Sequence, residues 1–328
     1  MNDIGAQGEA QGSAPPVDAL ETPLVPSPVA CAVPNVSEGQ DPDRIAALVA
    51  ACRAPGVRVL DVHSDPDHHR SALTLAGDPI ALEEALVALA GECVDLIDLR
   101  RHRGAHPRIG ALDVAPVVAL APEDMALASE VALAVAGRLG AELNLPVFLY
   151  GDALSTDPER TRPHHFRGGG LDWLAEEVAA GRIVPDRGPP RLHPSAGAVL
   201  VAARPPLVAW NVWLPDASLT EAKVIAARVR ESGGGLPGVR ALGLYLPEAG
   251  AAQVSMNLED YRLTPPRAAV EAVRAEAARL GVTAGESELV GLIPAAALAG
   301  ESPEALGLPR FGPECVLEAQ MPALGRAA

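Results

Sequence analysis

Residues 98–114 read Asp98-Leu99-Arg100-Arg101-His102-Arg103-Gly104-Ala105-His106-Pro107-Arg108-Ile109-Gly110-Ala111-Leu112-Asp113-Val114. Between 100 and 108 there are four arginines and no acid, in a chain whose formal net charge is -16. Such a concentration reads either as surface arginines beside a structural turn or as a site for carboxylates, of which the planar guanidinium is the natural bidentate partner. Gly104 and Gly110 bound a turn that Pro107 stiffens. His106 stands inside that turn, and imidazole is the ordinary group for moving a proton to or from an amine near neutral pH. The apolar run 111–120 that follows reads as a strand, so the histidine sits on a loop beside a sheet.

Outward from this segment, strands and helices alternate. Residues 29–36 read as a short strand, and Asp41 caps a helix with Pro42 in its first turn. Ile45, Leu48, Val49 and Cys52 share one face of that helix. Strands are expected at 57–62 and 72–76, then a helix with Leu82, Ala85, Leu86, Leu89 and Cys93 inward. A helix over 122–139 and a strand over 146–150 complete the first region. A Gly-, Pro-, Arg- and His-rich stretch, 151–205, is expected to interrupt the alternation. It resumes with a strand at 207–214, a helix at 219–231, a hairpin over 239–264, a helix at 266–280 and a strand at 288–294. Helices laid over β-structure in both halves point to an α+β fold of two related layers with a site between them.

The 328 residues suffice for two domains. Their acidity disfavours nucleic-acid backbones and anionic membranes, and 3% aromatic content leaves little for base stacking. No apolar run approaches the ~20 residues of a membrane span. Lys223 is the only lysine. Cys31, Cys52, Cys93 and Cys315 are far apart without a CxxC pair, which fits a reducing cytoplasm. Residues 1–27 lack any Lys or Arg and read as a disordered extension rather than a targeting signal.

All eight histidines fall between 63 and 193. Asp61-Val62-His63-Ser64-Asp65-Pro66-Asp67-His68-His69-Arg70 gathers acids and imidazoles on a post-strand loop, which suits either a divalent metal or a loop capped by its own Asp side chains. Pro185-Asp186-Arg187-Gly188-Pro189-Pro190-Arg191-Leu192-His193-Pro194-Ser195-Ala196-Gly197-Ala198 reads either as a stiff linker or as a loop allowing close approach to an anionic ligand.

Taken in order, these segments resemble the formiminotransferase domain family, the glutamate formimidoyltransferases. The resemblance rests on Val33-Pro34-Asn35-Val36-Ser37-Glu38-Gly39, on Leu60 to His63, on His68 to Ser71 and on the signature His102 to Val114. It continues through Leu149-Tyr150-Gly151, the 188–197 loop, Ala209-Trp210-Asn211, Gln253 to Leu258 and Ser287 to Pro294. It implies two related α/β subdomains, ferredoxin-like sheets with helices packed on one face, enclosing a substrate tunnel. The expected division is 28–204 and 205–328, in a single-function form without a cyclodeaminase domain, as a cytoplasmic homodimer.

The implied reaction moves a formimino group from N-formimino-L-glutamate to tetrahydrofolate, giving 5-formiminotetrahydrofolate and L-glutamate. By the family pattern His106 is the catalytic acid–base and no metal is used. Gly188, Pro189, Pro190, Arg191, Leu192, His193, Pro194, Ser195, Ala196 and Gly197 would form the folate-binding loop. His63, Asp65, Arg70, Arg100, Arg103, Arg108 and Asn211 are candidates to bind or support the substrates. The alternatives are another formimino or formyl donor in the same class and, outside it, a metal-dependent hydrolase built on the 61–69 loop. The chain departs from the family pattern at His63 (Asp in some relatives) and His69 (Asn in many). It also departs at Val117 and Ala119, where the family pattern has Phe and Pro, and at Val199 and Trp213, which are expected to fall near the folate pocket.

Overall fold

The computed structural model describes residues 29–151, 154–155, 160 and 162–321, so the expected extension at 1–27 lies outside the described residues. The first region builds β1 (Ala30–Ala32), β2 (Asn35–Val36), α1 (Pro42–Ala51), β3 (Val57–Asp65), β4 (Arg70–Gly77), α2 (Pro79–Leu96) and β5 (Leu112–Val118). β1 and β2 are two pieces of one broken strand between β4 and β5, and β3 flanks β4, every pairing antiparallel. This is a split βαβ, or ferredoxin-like, unit. The chain then adds α3 (Met125–Glu142), β6 (Val147–Tyr150), α4 (His164–Arg167), α5 (Gly170–Ala179) and β7 (Val199–Arg204). β7 inserts between β5 and β6, parallel to both.

The second region repeats the plan with β8 (Val208–Leu214), α6 (Leu219–Val229), β9 (Val239–Leu246), β10 (Ala251–Leu258), α7 (Pro266–Leu280) and β11 (Ser287–Val290). Its sheet runs β11-β8-β10-β9, antiparallel throughout. A short α8 (Leu317–Gln320) follows. Among the described residues no helix is long and apolar enough to cross a membrane.

Local chemistry fixes the helix starts. Asp41 accepts the backbone N–H groups of Asp43 (3.0 Å) and Arg44 (3.1 Å), and Asp78 does the same for Ile80 and Ala81 at the head of α2. Ser218 and Glu221 form a reciprocal capping box on α6. Gly281, at φ +73°, ends α7. Leu82, Leu86 and Leu89 of α2 are fully buried with Leu73, Leu75 and Val117 of the sheet in one core, shared with α1 and α3. Trp210 and Val254 meet Ile225 and Val273 in a second core under α6 and α7.

The stretch 151–205 is not the interruption its composition suggests. It supplies α4, α5 and an interior strand. Val199, Val201 and Ala203 of β7 pack toward α2 and α3, while Leu200 and Ala202 pack toward α4 and α5 with Phe148 and Phe166. A parallel strand covered on both faces has no alternating pattern to betray it. The expected place of Val199 is likewise corrected: Val117, Ala119 and Val199 are buried in the helical core, and none of the three lines the cavity between the sheets. Trp213 lies further along β8 than the residues that line that cavity.

Enlarging residue 117 tests this placement. Val117→Phe should overpack the core between β5 and the helices, lowering stability by about 1–3 kcal/mol. A shift in urea midpoint measures it, and an unchanged midpoint would put residue 117 outside that core.

Candidate active site

A cavity of about 720 Å³ opens between the two sheets, a volume suited to a small ligand. Five arginines line it (Arg70, Arg162, Arg167, Arg204, Arg240) against two carboxylates, Asp65 and Glu259. His63, His68 and His106 share the lining. Glu259 lies 2.6 Å from Arg240 and within 3.6 Å of Arg162, so part of the positive charge is offset by the protein itself.

The arrangement is organised by Asp113 on β5. Its carboxylate is fully buried and accepts from Arg70 Nη1 (2.5 Å), from Arg167 Nη2 and from the backbone N–H of Ile109 (2.8 Å). Arg70 Nε in turn donates to Asn35 Oδ1 at 2.9 Å. Burial alone would raise the Asp113 pKa, but Arg167 and Arg70 outweigh it and hold the group well below the usual carboxylate range.

His106 stands beside this cluster. Its Nδ1 is 2.7 Å from the carbonyl oxygen of Pro107. A carbonyl only accepts, so Nδ1 carries the hydrogen and Nε2 keeps the lone pair. Burial, then the Arg70 and Arg167 charges, push the imidazole well below the ordinary histidine range, against an opposing pull from Asp113. The ring is therefore a neutral base at pH 7. Its loop is braced by Arg108, which donates to the carbonyls of His68 (2.7 Å), His69 (2.9 Å) and His106 (2.7 Å).

A second hub is Glu288 on β11. It accepts from Asn211 (3.0 Å) and Gln253 (3.1 Å) and lies 3.5 Å from His63 Nε2. Burial presses the His63 pKa down, but Glu288, Asp61 and Asp65 outweigh it and the net shift is upward. Two histidines of one cavity are thus driven in opposite directions by their neighbours.

Two family models match the chain: the formiminotransferase domain, N-terminal subdomain, over residues 29–204, and the formiminotransferase domain over 209–302. The chain belongs to the formiminotransferase family. It is 40% identical to a glutamate formimidoyltransferase of Streptococcus pyogenes, across 81% of this chain and 89% of that one. It is 39% identical to one of Thermoplasma acidophilum, across 88% and 96%. It is also 38% identical to the formimidoyltransferase-cyclodeaminase of Rattus norvegicus, matching 50% of that protein.

Of the residues this family resemblance singles out, His63, Asp65, Arg70, His106 and Asn211 line the cavity. Arg100, Arg103 and Arg108 do not. Arg100 is exposed and bidentate on Asp98, Arg103 folds back on the His102 carbonyl, and Arg108 is consumed by the loop carbonyls. The stretch Gly188 to Gly197 (Pro189, Pro190, Arg191, Leu192, His193, Pro194, Ser195 and Ala196 between) also lies off the cavity. It backs the histidine loop from behind: Ala111 N–H donates to Ala196 O and Ala198 N–H to Ile109 O, both at 2.9 Å. Gly197 is at φ +71°, and a Cβ there would come within 2.1 Å of Ile109 O, so this crossing demands glycine.

Arg162, Arg167, Arg204 and Arg240 escaped sequence reasoning as cavity residues, although Arg204 belongs to a basic stretch and Gln253 and Glu288 fall inside motif segments. The expected 61–69 loop is corrected: Asp61 to Asp65 belong to β3, only 66–69 form a turn, and apart from the buried Asp61 Oδ2 the acids and imidazoles that suggested a metal have protein partners. Asp65 accepts from His68 N–H (2.7 Å), and His69 bridges Glu38 (3.0 Å) and the Arg103 carbonyl (2.7 Å). Among the described residues no group of three or more His, Cys, Asp and Glu is placed to hold a metal ion.

Replacing one arginine isolates its electrostatic share. Arg167→Gln removes a positive charge facing His106, so the imidazole pKa should rise toward the ordinary ~6.5. The C2–H proton of His106, followed by NMR against pH, reports the shift, and a fall or no change would refute the assignment of cause.

Proposed function

We propose that this chain transfers a formimino group from N-formimino-L-glutamate to tetrahydrofolate, with His106 as the acid–base. The observation that carries the reading is His106 itself, with Nδ1 tied to the Pro107 carbonyl and Nε2 free, at the edge of an arginine-lined cavity. Family membership narrows the group transferred. The donor is a dicarboxylate and the acceptor carries a glutamate tail, so both match a lining in which arginines outnumber acids. Arg167 and Arg240 each keep a buried Nε with no partner among the described residues, donors in excess of the protein's own acceptors.

Tetrahydrofolate supplies the acceptor nitrogen, N5. His106 Nε2 accepts the proton released there as the new carbon–nitrogen bond forms. The imidazolium then returns that proton to the glutamate nitrogen as the old carbon–nitrogen bond breaks, so glutamate leaves as a neutral amine. Arg70 and Arg167 bias the imidazole toward its neutral form before the step, which makes it ready as a base and, once protonated, a strong acid. His63, held toward its cationic form by Glu288, and Asp65 face the same space and are suited to opposite charges on the donor. Proton handling of this kind is worth about 10²–10⁴-fold in rate, and holding both substrates in one cavity adds the benefit of orientation.

The test combines formiminoglutamate with tetrahydrofolate and compares the wild type with His106→Ala. Turnover should fall by ~10²–10⁴-fold in the variant, and near-wild-type turnover would exclude the histidine. Because the His106 pKa is depressed, the acidic limb of kcat/KM should lie below ~6.5, the unperturbed histidine value. Activity would then persist through mildly acidic pH and be lost only as Nε2 protonates.

A further inference from the structure

The tight turn 66–69 between β3 and β4 takes no part in the proton transfer proposed above, yet it touches both the histidine loop and the second sheet. The Asp67 carbonyl accepts the N–H of Ala105 at 2.9 Å, one residue before His106. The Asp67 carboxylate reaches the other way. Oδ1 accepts the N–H of Glu248 (2.8 Å) and Oδ2 that of Ala249 (3.1 Å), both in the turn joining β9 to β10.

His68 makes the second connection. It is buried, and its Nε2 lies 3.1 Å from Gln253 Oε1 on β10. Gln253 is completely buried and its Nε2 donates to Glu288 at 3.1 Å. A carboxylate can only accept, so the Gln253 amide must present its oxygen to His68, and His68 Nε2 must carry the hydrogen. One chain of bonds from β11 through β10 thereby fixes both the orientation and the tautomer of the His68 ring. That ring lies against His106, with centroids 5.9 Å apart and planes inclined by 28°.

We infer that Asp67 and His68 are positioning residues that make the setting of His106 depend on docking of the second sheet. The inference rests on the acid–base reading of His106. If the β9–β10 hairpin drew away, the two bonds to Asp67 and the His68–Gln253 bond would be lost together. The cavity wall facing Arg70, Arg167, Asp113 and His106 would then admit water. Proton transfer would be poised only while the two subdomains enclose the substrates, which also keeps the reacting group from water. The aspartate and histidine that suggested a metal loop in the sequence thus acquire a mechanical use.

The experiment uses the full chain with Asp67→Ala, Asp67→Asn and His68→Phe, the last keeping a ring against His106 while removing the bond to Gln253. Circular dichroism and urea midpoints identify folded variants, and Asp67→Asn, which retains one acceptor, serves if the alanine variant fails to fold. Asp67→Ala and His68→Phe should lower kcat by about 10–100-fold, the usual cost of a misplaced reacting group, with KM within twofold. Asp67→Asn should fall between them and the wild type.

In ligand-free protein, the NMR titration midpoint of His106 should rise as water reaches the ring. An unmoved midpoint overturns the inference whether or not kcat drops, and so does a loss confined to KM. The titration needs no substrate. An inactive wild type would therefore count against the proposed reaction while leaving the positioning role to be judged by the titration alone.

Discussion

A carboxylate taken out of water costs several kcal/mol unless charge and hydrogen bonds compensate for it. Asp113 meets that requirement with two guanidinium groups and a backbone N–H drawn from three other parts of the chain: β4, α4 and the histidine loop. The cluster is complete only when these separate parts of the chain come together, because without any one of them the buried carboxylate lacks a hydrogen-bond partner. The stoichiometry has a chemical result as well. Two cations on one anion leave a surplus of positive charge beside His106, which adds to the larger effect of burial in lowering the imidazole pKa. One interaction thus anchors the loop and helps to set the charge state of its histidine.

The periodic parts of this architecture were legible from residue order. The Asp41 cap, the inward face of α2 and the 266–280 helix each rest on local rules, capping or a 3.6-residue repeat, that need no knowledge of distant neighbours. β7 was hidden because burial on both faces erases alternation, and α5 was hidden inside a Gly- and Pro-rich stretch. His106 stood out through its turn. The arginines of the site did not, because the choice between Arg108, spent on loop carbonyls, and Arg167, turned into the cavity, is made only when α4 packs under β6 and β7. Residue type suggested a site for anions, and tertiary packing decided which arginines line the cavity.

Much of what looks like a binding motif proves to be scaffold. Glu38, almost fully buried, accepts the N–H groups of Gly39, Gln40 and Asp41 and also meets His69, while Ser37 donates to the Gly110 carbonyl. His69 itself has φ +47°, in the left-handed region where Asn, Asp and His are enriched among non-glycine residues. An Asn at this position would meet the same backbone demand. In Gly188 to Gly197, likewise, the glycines permit close crossings of backbone behind the turn that bears His106.

The insertion of β7 between β5 and β6 also governs the order in which the molecule can be completed. Among the described elements β6 pairs with no strand but β7, so beyond a single bridge from Val147 to Arg187 it has no sheet neighbour until residues 199–204 arrive about fifty residues later. The ferredoxin-like core formed by β1 to β5 can close well before that, since its strands and helices are all in place by Val118. The backing bonds from Ala196 and Ala198 to the histidine loop come only with the late strand. Domains assemble as their segments emerge from synthesis, and non-local strand pairing is the slow part. A nascent chain would hold a folded core for some time before it held a usable site, and the turn bearing His106 would be among the last places to become rigid.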